Sequence, residues 1–130
     1  MTDASTYRVL LIGSALVRDP DKLFEHLRSL RLALWKERRP LVLVFDNYPS
    51  GLLEIAADVV SRLGIAYEVH EPTNPKERLV ADARWAKLIE KGHADMVLCI
   101  KYRGSMPYHR ATTAAANAAG IEVYEYDETE

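Results

Sequence analysis

The stretch Met96-Val97-Leu98-Cys99-Ile100, followed by Lys101-Tyr102-Arg103-Gly104-Ser105-Met106-Pro107-Tyr108-His109, decides how this chain is read. Five consecutive apolar residues without polar alternation predict a strand covered on both faces. The loop then enters an alanine-rich run, Arg110–Ala119, that reads as a helix. In open α/β sheets such a strand-to-helix loop is where ligands bind, because helix N–H groups converge on the strand ends. This loop carries Lys101, Arg103, Gly104, Ser105 and His109 together with two tyrosines. A phosphorylated small molecule is expected there.

Working outward, four more short apolar runs recur at Arg8–Ile12, Leu41–Phe45, Ala66–His70 and Ile121–Tyr126, separated by stretches of helical periodicity. Strand and helix in alternation predict a doubly wound α/β domain with a mainly parallel sheet and helices on both faces. The domain spans residues 1–130, with a core over 7–126 and short flexible termini.

The punctuation agrees. Asp19-Pro20 reads as an N-cap followed by proline in the first turn, where the missing N–H costs nothing. Leu23, Leu27, Leu30 and Leu34 then share one helical face, and Pro40 closes the segment. Arg38-Arg39 reads as a solvated helix end whose charge suits the local dipole. A second helix is expected over Leu52–Leu63, capped by Ser50 and stopped by Gly64. A third follows Asn74-Pro75 and runs to about Lys91, with Leu79, Ala83, Ala86 and Ile89 on its apolar stripe. In the last helix the alanines predict close packing on the sheet, with a subunit interface as the alternative.

Composition sets limits. Of 130 residues, 48% are hydrophobic and 28% charged, an ordinary globular balance. Net charge is −2, from 17 basic and 19 acidic side chains, which argues against nucleic acid and anionic membrane as partners. The single cysteine, Cys99, lies in an apolar run, so a reduced, cytoplasmic setting is the simplest expectation. The first seven residues lack the apolar core of a signal peptide, and no stretch reaches the ~18–20 apolar residues of a membrane helix. Asp127-Glu128-Thr129-Glu130 reads as a frayed acidic end.

Other candidate residues sit at expected strand ends. Asp46 and Asn47 follow the second strand, where binding and ordinary turn roles are evenly matched. Gly13 and Ser14 end the first strand, and Gly51 opens the second helix. Arg84 and Trp85 are placed to turn toward the strand ends, although a tryptophan there also reads as packing. His70 and His93 have no partner at metal-ligand spacing, and no zinc motif, Ser–His–Asp spacing or Walker loop is present. No metal and no cofactor are expected.

Taken together, this punctuation resembles the YspA/YpsA-type branch of the SLOG superfamily, which also includes the LOG phosphoribohydrolases and DprA. The family's Gly-Ser-Arg and Asp-Pro-Asp appear as Gly13-Ser14-Ala15 and Asp19-Pro20-Asp21. Its His-Gly-Gly appears as Phe45-Asp46-Asn47, and its Gly-Ala-Asp with a following alanine as Gly51-Leu52-Leu53 with Ala56. Arg-Asn-x-x-Met and Gly-x-Ala-Asp correspond to Arg84-Trp85-x-x-Leu88 and Gly92-His93-Ala94-Asp95. The Gly-Thr before the last helix falls on Tyr108-His109, and Ala-Gly-Ile-Pro-Val on Ala119-Gly120-Ile121-Glu122-Val123. The resemblance covers roughly residues 7–126. It implies a Rossmann-like five-stranded parallel sheet of order 3-2-1-4-5 and a nucleotide-type or phosphoribosyl ligand at the strand C-termini.

The departures have physical consequences. Glycines in such loops let backbone N–H groups approach phosphate without a Cβ in the way. Asp46 adds bulk and negative charge at such a position, whereas Lys101, Arg103, His109 and Arg110 offer side-chain cations instead. The catalytic glutamate of LOG-type enzymes corresponds to Thr112, which argues against LOG-type N-glycosidic hydrolysis.

The expected function is a sensing or sequestering domain for a nucleotide-derived or phosphoribosyl ligand, in a chain that forms homo-oligomers. Its ligand-binding residues would be Gly13, Ser14, Asp46, Asn47, Ser50, Gly51, Arg84, Lys101, Arg103, Gly104, Ser105 and His109. One alternative is a nucleotide-processing hydrolase with Asp46, Glu54 or His109 as its base. The other is a catalytically inert protein-interaction scaffold.

Overall fold

A computed structural model describes residues 6–14, 16–46, 51–70, 86, 89, 94–104 and 110–130. Five strands, β1 (Tyr7–Gly13), β2 (Leu41–Asp46), β3 (Ala66–His70), β4 (Met96–Lys101) and β5 (Glu122–Asp127), form one sheet in the order β3-β2-β1-β4-β5. Every neighbouring pair is parallel. Among the described residues three helices have defined bounds: α1 (Pro20–Trp35), α2 (Gly51–Leu63) and α3 (Arg110–Ala118). The fold is therefore a Rossmann-like α/β domain with the strand order that the motif resemblance implies.

The continuous apolar runs are explained by two separate cores. On one face, Val9 and Leu11 of β1, Leu43 and Phe45 of β2, and Leu98 and Ile100 of β4 pack with Leu23, Leu27, Ile55 and Val59 of α1 and α2. On the other face, Leu10, Ile12, Val44, Val97 and Cys99 pack with Ile89 and with Ala116 of α3. Central strands β1 and β4 thus bury both sets of alternating side chains. Leu23 and Leu27 are fully enclosed, and truncating either to alanine costs about 2–5 kcal/mol. Edge strands β3 and β5 are more exposed, with Tyr67, Val69 and Tyr124 open to solvent.

Several local expectations are refined. Asp19 caps α1, its Oδ1 accepting the N–H groups of Asp21 at 3.0 Å and Lys22 at 3.3 Å. Leu23, Leu27 and Leu34 are buried as the spacing predicts, with Leu30 half-buried. The helix stops at Trp35, well before Pro40, because the backbone reverses at Arg38. There the Arg39 N–H donates to Leu34 O and the Arg38 N–H to Trp35 O, a Schellman closure. α2 and α3 close with glycines, Gly64 and Gly120, in the left-handed position. In α3, Thr112 and Ala116 are wholly buried while Ala114 and Ala118 face solvent, so small residues on one side bring the helix down onto the sheet. Of the helix expected between Asn74 and Lys91, Ala86 and Ile89 are described and both are helical. Among the described residues no helix is long and apolar enough to cross a membrane.

Candidate functional site at the strand C-termini

The order β3-β2-β1-β4-β5 places the switch in winding direction between β1 and β4. The chain leaves β1 toward α1 on one face and leaves β4 toward α3 on the other, which opens a crevice at the strand ends. Gly13 and Ile100 are paired at this point. A Cβ on Gly13 would stand 2.9 Å from Ile100 O, 3.3 Å from Ile100 Cβ and 3.4 Å from Leu52 Cδ1. The glycine is therefore required by the approach of β4. Ser14 continues the pairing, donating its N–H to Ile100 O at 3.0 Å. Its Oγ accepts the Leu16 N–H at 3.2 Å, and its carbonyl accepts the Val17 N–H at 3.3 Å, so Ser14 shapes the turn.

On the β4 side, Lys101 Nζ lies 2.7 Å from Glu125 Oε2, and this bond raises the ammonium pKa above its ordinary value. The chain then turns through two left-handed residues, Arg103 (φ 53°) and Gly104 (φ 81°). The Arg103 guanidinium lies 5.6 Å from the centre of the Tyr102 ring. Thus Gly13, Ser14, Lys101, Arg103 and Gly104 are gathered at the ends of the two neighbouring strands. Asp46 ends β2 in register with His70 of β3. Gly51 begins α2, one residue before the Leu52 side chain that closes on Gly13. Asn47, Ser50, Arg84, Ser105 and His109 lie outside the described residues, as do Trp85 and His93.

The residues that sequence reasoning missed belong to the acidic end, expected to fray. It is held to the loops around the crevice. Glu128 presents Oε2 to the Arg18 N–H at 2.7 Å and Oε1 to the Asp19 N–H at 3.0 Å. Lys22 Nζ donates to the carbonyls of Glu128 and Glu130, both at 2.9 Å. Asp127 Oδ2 accepts the Gly104 N–H at 2.6 Å, while Thr129 Oγ1 accepts the Arg103 N–H at 3.2 Å. Asp127 Oδ1 also accepts the Thr129 N–H at 2.9 Å and the Thr129 hydroxyl. The Thr129 hydroxyl and N–H, with smaller help from Gly104 and Arg103, hold the Asp127 carboxyl below its ordinary pKa. The available signal was the Asp-x-Thr spacing of Asp127 and Thr129, which favours a local side-chain-to-backbone turn over a free tail.

The backbone N–H groups of Arg18, Asp19 and Gly104 beside the crevice are thus occupied by this chain's own carboxylates. The other conspicuous polar group lies away from the crevice, on the α3 face of β1 and β3. There Arg8 NH1 meets Glu68 Oε2 at 2.5 Å, and Glu68 Oε1 lies 3.2 Å from His70 Nε2. The Arg8 hydrogen bond, chiefly, pulls the Glu68 carboxyl below its ordinary value. Thr112 of α3 is fully enclosed. Among the described residues no group of three or more His, Cys, Asp or Glu side chains is placed to hold a metal ion. No family model matches the chain, and no curated protein matches it either.

Proposed function

We propose that the protein binds a nucleotide-derived or phosphoribosyl small molecule in the crevice between the ends of β1 and β4, as a sensing or sequestering domain of SLOG-like type. The observation that carries this reading is the winding switch between β1 and β4, with Gly13-Ser14 on one side and the cationic Lys101–Gly104 turn on the other. A ligand phosphate there competes with Asp127 for the Gly104 N–H and with Glu125 for Lys101, and Arg103 adds a guanidinium suited to bidentate phosphate contact. Ligand entry therefore involves exchanging internal carboxylates for phosphate oxygens at the same donors.

Thermal denaturation with ADP-ribose, nucleoside monophosphates and cyclic nucleotides tests the reading, since a ligand that binds only the folded state raises Tm. At least one ligand of the panel is expected to raise Tm, and Arg103→Ala to abolish the rise. A flat response across the panel at millimolar concentration would overturn it. A second reading, an inert interaction scaffold, is favoured by the same carboxylates, because Glu128 and Asp127 already satisfy the loop N–H groups. A flat response together with a stable homo-oligomer in solution would support that reading.

A further inference from the structure

We propose a second ligand site at the opposite end of the sheet, in a groove that takes a mononucleotide: one phosphate and one flat heterocycle. The groove lies between the C-terminal end of α1 and the starts of β2 and β3, with a volume of about 460 Å³. Arg31, Trp35, Arg38 and Arg39 line it, over a floor that includes Leu41 and Ile65. Among the described residues no carboxylate lines it.

Three guanidiniums line this open groove, whose volume is in the range of small-ligand sites, and their charge outweighs the partial negative charge of the α1 and α2 carbonyl ends. Arg31 donates one of its five N–H groups to Leu63 O, tying α1 to the end of α2 and fixing the stem at the groove wall. Arg39 is held by a hydrogen bond to Thr6 O at 3.1 Å and lies 5.0 Å from the centre of the Tyr7 ring. Both heads are therefore positioned before any ligand arrives, which lowers the ordering cost of binding. Guanidinium groups match phosphate oxygens in a planar, bidentate fashion.

Arg38 supplies an independent observation. It occupies the left-handed closing position of α1 at φ 56°, where α2 and α3 carry Gly64 and Gly120. A non-glycine residue in that region is strained, and glycine removes the strain. Backbone conformation alone favours glycine at this turn, and the exposed arginine found there places its charge at the end of α1 beside the groove.

Trp35 is 69% exposed, the largest exposure among the large apolar side chains of the described residues, and it stands at the same groove. An indole left in water beside arginines offers a stacking surface to a base, whatever the base's identity. A phosphate alone leaves that surface unused, and an acidic peptide supplies charge without a flat ring. A nucleoside monophosphate uses both features. This site is separate from the strand C-termini, so it does not depend on the function proposed above.

The test is a titration of AMP into the full chain carrying Trp85→Phe, so that Trp35 is the single tryptophan whose emission is read. AMP is expected to quench that emission saturably, with adenosine and inorganic phosphate each at least tenfold weaker. Arg38→Gly is expected to weaken AMP binding at least tenfold while leaving Tm equal or higher. Arg18→Ala, an exposed cation at the other end of the sheet, is expected to leave the titration unchanged. Should Trp85→Phe fail to fold, calorimetric titration of Arg103→Ala and of the Arg103→Ala, Arg38→Gly double variant, with the crevice proposed above disabled in both, gives the same comparison. The proposal is overturned by no binding of AMP to the groove at millimolar concentration, by equal binding when Arg38→Gly is present, or by loss with Arg18→Ala instead. Oligoadenylate binding without AMP binding assigns the groove to single-stranded nucleic acid and overturns the mononucleotide assignment.

Discussion

The carboxylate of Glu128 accepts the backbone N–H of Asp19 at 3.0 Å, joining the last turn of the chain to the cap of its first helix. Its second oxygen takes the Arg18 N–H at 2.7 Å, so one side chain satisfies two donors just before α1. Glu128→Ala leaves both to water and is expected to lower stability by about 1 kcal/mol, in the range of a lost N-cap. Glu128→Gln keeps one acceptor oxygen and is expected to lose less. Urea denaturation of the three proteins checks the order, and an unchanged midpoint in Glu128→Ala would show that the contact contributes nothing to stability.

Gly13 is the point at which β1 and β4 come closest to excluding a side chain. An alanine there meets the carbonyl of Ile100, a backbone atom that cannot rotate away. Gly13→Ala is expected to cost about 1–3 kcal/mol by overpacking. Chemical denaturation reads the loss directly. A wild-type midpoint would mean that the strands separate there without penalty.

His26 of α1 is expected to make stability depend on pH. Its ring is stacked on Tyr126 with centroids 4.3 Å apart, and lies 5.3 Å from Tyr124. Desolvation first, and then the Lys22 charge, lower its pKa below the ordinary 6.5. The folded state therefore takes up this proton less readily than the unfolded chain. The stability it contributes is full above pH 6.5 and declines as pH falls toward the lowered folded-state value. His26→Phe removes that part of the slope, measured as the difference in unfolding free energy between the two proteins from pH 7.5 to pH 5. Parallel curves would contradict the assignment.

Cys99 is buried on β4, and burial, reinforced by Glu125, pushes its thiol up to about 12. The thiolate is the reactive form, and access is blocked as well. Ellman's reagent at pH 8 is expected to leave the native thiol unmodified over minutes and to label one thiol per chain in denaturant. Rapid native labelling would show that β4 opens locally.

The elements were legible in the sequence to within a residue or two where one physical rule acts locally. Met96–Ile100 reads as a two-sided buried strand, and Asp19-Pro20 as a helix start, because covered strands need continuous apolar runs and N-caps need a short polar acceptor. The end of α1 was misplaced because Pro40 is a strong stop signal, whereas the actual reversal is made by Arg38, a residue type without preference for the left-handed region. At the crevice, Gly13 was identified as a ligand-loop glycine, and its packing against Ile100 was invisible because the two residues meet only through strand pairing.

By itself, the sequence determined the alternation of strand and helix, the two-sided burial of β1 and β4, and the capping of α1, since each depends on residues close along the chain. Tertiary structure alone decided that the acidic end is held rather than free, and that its carboxylates take the N–H groups beside the crevice. It also decided that three arginines and an exposed tryptophan share one groove at the other end of the sheet. The physical reason is separation. Glu128 and Asp19 stand 109 positions apart, and a hydrogen bond over that distance leaves no periodicity or spacing to read.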